Sequence, residues 1–93
     1  MSLAWRKHRL RLNPFSYKRT DKGFYDTEYK VFYHGVEIGH VSKLKDYVWQ
    51  AVAIDPVTEY GHRVENGWTL FYRTRQEATW AINGYRNKKA VLV

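Results

Sequence analysis

No cysteine occurs anywhere in the 93 residues, so a disulfide framework and a thiolate metal site are both excluded and packing alone must hold the chain together. That predicts a reducing, cytoplasmic setting. No run of about 18 apolar residues exists, and the N-terminus has no apolar stretch ahead of a cleavage site, so neither a membrane helix nor a secretory signal is expected. No glycine-rich phosphate loop appears. His34, His40 and His62 lack a His or Cys partner at zinc-site spacing, and Ser42 with His40 and Asp46 shows no strained nucleophile turn. The sequence therefore predicts no metal, no cofactor and no catalytic centre: a binder, not an enzyme.

Acidic residues are also scarce, and unevenly so. Residues 1–22 hold seven Lys or Arg against one Asp, a net of +6, while residues 23–93 hold nine against eight, a net of +1. A basic block beside a nearly neutral body predicts an arm that meets an anionic partner, because Lys and Arg gain most where they displace counterions from phosphate. The expected organisation is a basic arm over residues 1–22 and a single α+β domain over residues 23–93. A chain of this length is expected to form one core.

Within the domain, Tyr25, Thr27, Tyr29, Val31 and Tyr33 alternate with Asp26, Glu28 and Lys30, the period of a strand with one wet face. His34-Gly35 offers a tight turn to a return strand over residues 36–42, where Gly39 marks a bulge, and residues 43–46 read as the next turn. Residues 47–54 are apolar on both faces and read as a central strand that Asp55-Pro56 ends. Residues 57–67 read as a connection and residues 68–73 as a final strand. Thr74-Arg75-Gln76-Glu77 fits a capping box, and Ala78, Ala81, Ile82 and Tyr85 supply the apolar stripe of a helix from Arg75 to about Asn87. Residues 90–93 are apolar and would either return as an edge strand or fray. The expected fold is a four-stranded, mostly antiparallel sheet carrying one C-terminal helix on one face.

Three features are candidates for binding. In the arm, Arg6, Lys7, Arg9, Arg11, Lys18 and Arg19 are interleaved with Trp5, Phe15 and Tyr17, so that cations would track phosphates and rings would stack on bases. The alternative is a solubilising tail whose apolar residues cover the second sheet face. Trp80 stands about 160° around the helix from the apolar stripe, at 100° per residue, where it would anchor a protein partner or be covered by the termini. Tyr47 and Trp49, beside Ala51 and Ala53, would form a flat platform on the sheet face opposite the helix, for bases or a partner strand, unless both faces are core.

Residues 70–82, with Phe71, Thr74, Arg75, Glu77 and Ala78 in an aromatic, Thr, basic, Glu, Ala order, resemble the strand-to-helix junction of the arm-type DNA-binding domain of tyrosine recombinases. The resemblance extends over residues 24–88 and implies DNA binding by a small sheet in the major groove, with the helix behind it. The four expected strands, the 57–67 connection and the basic arm depart from that family's three-stranded pattern. On that geometry Lys43, Lys45, Arg73 and Arg75, on the sheet face away from the helix, would reach phosphates. The leading expectation is a small basic nucleic-acid-binding protein, of the kind that serves a phage or mobile element, contacting DNA or RNA phosphates through its arm. The alternative is a protein-binding module or inhibitor, in one version a homodimer, that sets its aromatics against an acidic protein surface. No membrane partner is expected.

Overall fold

The computed structural model describes residues 14–20 and 27–92, so Arg6, Lys7, Arg9 and Arg11 lie outside the described residues. The described chain forms β1 (Phe15–Thr20), β2 (Thr27–Tyr33), β3 (Val36–Lys45), β4 (Val48–Ile54), β5 (Gly61–Arg63), β6 (Phe71–Tyr72) and one helix, α1 (Arg75–Leu92). The strands make one antiparallel sheet in the order β1-β2-β3-β4-β5, and β6 pairs with the start of β4 beside β5. This is the expected α+β arrangement, a sheet with a C-terminal helix on one face, but with six strands rather than four. The two additions come from the segment that charge marks as an arm, which supplies β1, and from the 57–67 connection, which supplies β5.

The turns explain why the strands meet in this register. His34 and Gly35 have φ of 50° and 82°, both in the left-handed region, as a tight hairpin between β2 and β3 requires. The His34 N–H donates to Pro14 O at 2.9 Å, which ties the start of β1 to the same turn. Opposite the irregularity between Val31 and Phe32, the chain passes through Gly39 at φ 159°. A Cβ there would collide with the Val52 carbonyl of β4, so this residue must be glycine for β3 and β4 to pair. Residues 43–45, expected as a turn, instead prolong β3, because a second irregularity between Lys43 and Lys45 absorbs one residue and shifts the reversal to Asp46-Tyr47.

The core lies between the sheet and α1. Val31, Val41, Ala51 and Ala53 from the strands meet Ala78 and Ile82 from the helix, with Ile38, Val64 and Tyr72 at the margins. The helical stripe expected at Ala78, Ala81, Ile82 and Tyr85 does face the sheet, and Thr79 is buried beside it. Thr79 is tolerated there because its hydroxyl donates to Arg75 O at 2.8 Å and accepts from the Tyr17 hydroxyl of β1 at 2.7 Å.

The outer edge of β4 is divided among three short segments, which is why β-propensity alone misreads it. Gly61–Arg63 pairs with residues 52–54, the Val64 N–H donates to Ala51 O, and Phe71–Tyr72 pairs with residues 49–50. The expected strand over residues 68–73 is therefore two residues long. Asn66 and Thr69 exchange both backbone hydrogen bonds across Gly67-Trp68, with Gly67 at φ 66°, so Trp68 occupies a turn and not a strand. At the other end, α1 continues through residues 90–92 where a returning strand or frayed end was expected.

Asp55 fastens the β4–β5 connection to the helix. Its Oδ1 accepts from the N–H groups of Val57 and Thr58 at 2.8 and 3.1 Å, and its Oδ2 accepts from the Tyr85 hydroxyl at 3.3 Å. The backbone donors, Val57 first, hold the carboxyl below the usual aspartate range, while burial and the neighbouring carboxylate push the Tyr85 phenol up. A carboxyl depressed in the folded state contributes stability above its unfolded value of about 3.9 and loses it as pH falls through the folded value. Asp55→Asn is therefore expected to be less stable than the parent at pH 7, with the gap closing below about pH 4 in urea titrations. Gly39→Ala should cost about 2 kcal/mol or more, whereas Gly84→Ala, on an open helix face, should add about 0.5–1 kcal/mol in the same titrations.

Candidate nucleic-acid interface

The N-terminal end of α1 is built by its capping residues. The Glu77 N–H donates to Thr74 Oγ1 at 3.1 Å, and Glu77 Oε2 accepts from the Arg73 N–H at 3.2 Å, one residue earlier than the capping box predicts. This fixes Arg73 just outside the helix and Arg75 at its first position. Both lie beside the end of the β3–β4 hairpin. Lys43, Asp46, Tyr47, Trp49, Arg73, Thr74 and Arg75 line one cleft of about 410 Å³. Three cations and one carboxylate border it, and Lys43 Nζ is 3.1 Å from Asp46 Oδ1. The cleft so retains a formal excess of two positive charges.

From the cleft wall at Trp49 an aromatic row runs across the sheet. The Trp49 ring stacks with Tyr29 at 6.4 Å between centroids and 24° between planes, and Tyr29 meets Tyr17 edge-on at 6.1 Å. Over this row lies the Arg75 guanidinium, 4.1 Å from the Tyr17 centroid and 5.0 Å from that of Tyr29. Such contacts add on the order of 0.5–1 kcal/mol each at partly exposed sites and orient the planar group. On the far side of Arg75 a second cleft, about 180 Å³, is lined by Phe15, Tyr17, Gln76, Thr79 and Trp80 as well as Arg75 itself.

Tyr47 stands at the mouth of the first cleft, 77 % exposed, with φ of 62°. A residue with a Cβ pays about 1–2 kcal/mol for that conformation, which Gly or Asn would adopt more readily. A bulky ring is thus held outward against the local preference of the backbone.

Several expected site residues change place. The platform of Tyr47 and Trp49 on the face opposite the helix does not form. Trp49 pairs across to Lys43 and Tyr72 and shares the side of Ala51 and Ala53, which is the side α1 covers. Two-residue periodicity groups these side chains correctly, but only the position of the helix says which face they occupy. For the same reason Lys43 and Arg75 sit at the helix end and not on the helix-free face. Lys45 is exposed next to the turn and does not line the cleft, and Trp80 is exposed at 56 % beside the second one. Lys18 and Arg19, counted with the arm, are exposed residues of β1, in register with Lys30 and Tyr29. Lys18 shares the helix-free face with Lys30, Glu28 and Glu37. There Lys30 pairs with Glu37 at 3.8 Å, and Glu28 accepts from the hydroxyls of Thr20 and Ser42 at 2.9 and 3.0 Å.

Trp68, in the Gly67-Trp68 turn, is wholly exposed at 102 % and was not singled out by pattern, because its aromatic neighbours suggest a strand; the Asn66-Gly67 pair before it was the available signal. Among the described residues no group of three His, Asp or Glu is placed to hold a metal ion, and no helix is long and apolar enough to cross a membrane. Comparison with protein-family models, curated proteins and solved structures returns no match. Replacing Tyr47 by Asn, which tolerates the left-handed conformation, should raise stability by about 0.5–1 kcal/mol in thermal and urea unfolding; a loss of that size would mean the ring packs in the fold and is not held for a ligand.

Proposed function

We propose that this chain is a small nucleic-acid-binding protein that grips phosphates at the N-terminal end of α1 and along its basic segment, and that it is a binder and not an enzyme. The observation that carries the reading is the convergence of Lys43, Arg73 and Arg75 with Tyr47 and Trp49 in one cleft. Cations that meet beside exposed ring faces match a polyanion of stacked aromatic bases better than they match an acidic protein surface, which offers no rings in series. The first-turn N–H groups of α1 and the helix dipole favour an anion at the same end. The segment of net charge +6 joins the sheet at Phe15, a residue that borders the second cleft. The recombinase likeness would put the contacts on the helix-free face, where Lys18, Lys30, Lys45 and Arg63 stand with Glu28 and Glu37 but, among the described residues, no cleft gathers them beside exposed rings. The proposal rests on the cleft.

A second reading is supported by Trp68, whose full exposure suits the anchor of a protein contact. Salt separates the two. Anisotropy of a labelled oligonucleotide should weaken linearly on a log–log plot against salt, and replacing Arg73 and Arg75 together by Gln should reduce the slope by about 1–2. Exchanging Arg6, Lys7, Arg9 and Arg11 for Gln should reduce it further, while Asp46→Asn should tighten binding by removing the one carboxylate that borders the cleft. Binding that ignores salt and all three changes, but is lost with Trp68→Ala, would move the assignment to a protein partner.

A further inference from the structure

Resting on the nucleic-acid reading above, we infer that the ligand is a single strand whose bases stack on either side of Arg75, one against Tyr47 and Trp49 and another against Trp80. Two clefts of about 410 and 180 Å³ meet at this arginine, and each is walled by at least one tryptophan. The Arg75 guanidinium carbon lies 4.1 Å from the Tyr17 ring centroid, and the residue lines both clefts with a fork of five N–H donors. A phosphate lying between the two clefts would meet those donors. Arg73 and Lys43 supply further cations on the side of the larger cleft only. The arrangement is base, phosphate, base, with an aromatic for each base.

A duplex cannot use it in that way. Paired bases present their edges in the grooves and hide their faces within the stack, so ring-to-ring contact requires an unpaired or extruded base. Tyr47 adds a further indication, by its exposure together with a positive φ that His34 and Glu59 share. The chain holds this ring outward at φ 62° although Gly or Asn would fit the turn better, and 77 % of the residue is exposed. An outward aromatic at the mouth of a cationic cleft has a base face to gain, and nothing comparable in phosphate contact alone.

The test uses the full chain and four labelled probes: a homothymidine strand, a homouridine strand, the thymidine strand paired with its complement, and an abasic strand with the same number of phosphates. Both single strands, or one of them, should bind at least tenfold more tightly than the duplex and the abasic strand. Tyr47→Asn and Trp80→Ala should each weaken single-strand binding about tenfold without changing the salt slope or lowering the melting temperature. Arg75→Lys, which keeps the charge and loses the planar stack, should weaken it as well. Equal binding of the abasic and intact strands, or equal loss on strand and duplex in the variants, would overturn base stacking while leaving phosphate binding in place. No binding of any probe at low salt would overturn both this inference and the function on which it rests.

Discussion

Everything at the candidate interface depends on how closely α1 approaches the middle of the sheet. Ala51 and Ala53 on β4 and Ala78 on the helix are all fully buried, and with such short side chains facing one another the helix axis is drawn down between its larger anchors, Ile82, Val31 and Val41. Burial of those three contributes about 1.5–3 kcal/mol each, whereas the alanines contribute mainly by proximity. Gly39 is part of the same constraint, because a side chain there would push β3 from β4 directly beneath the helix. With the helix seated at this depth, its capped end stops beside the β3–β4 hairpin, and Arg73 and Arg75 come to border the same cleft as Lys43 and Trp49.

The cleft is consequently a by-product of core geometry. The row Tyr17–Tyr29–Trp49 crosses β1, β2 and β4 just where the helix no longer covers the sheet, so its rings are half-buried: packed well enough to be rigid and open enough to be met. Arg75 covers part of the row and is orientated by it. The Tyr17 hydroxyl, donating to Thr79, fastens β1 to the helix at the same point. The segment richest in charge enters the described structure at Phe15, which borders the second cleft.

The helix-free face and the helix end are built differently. On the helix-free side Lys30 pairs with Glu37 and hydroxyls answer the Glu28 carboxylate, with Lys18, Lys45 and Arg63 on the same face. At the helix end, cations outnumber acids, one tyrosine is held in a left-handed conformation, and two tryptophans flank an arginine. Backbone strain and uncompensated charge both disfavour folding slightly, and at the helix end the two coincide.

The chain's own pattern determined a good deal. The capping box at Thr74, the helical stripe through Ala78, Ile82 and Tyr85, the His34-Gly35 hairpin and the basic segment are all set by interactions within a few residues, so they are legible from local order. What local order cannot carry is which face of the sheet the helix takes. A period of two puts Trp49 with Ala51 and Ala53 without saying whether that side is covered, and only packing assigned it to the helix. Nor can it carry the sharing of β4's outer edge among Gly61–Arg63, Val64 and Phe71–Tyr72, which depends on backbone groups from separated segments finding free partners. The cations at positions 43, 73 and 75 and the rings at 47, 49 and 80 were visible singly; that the other five gather about Arg75 was decided by the depth and direction at which the helix rests on the sheet.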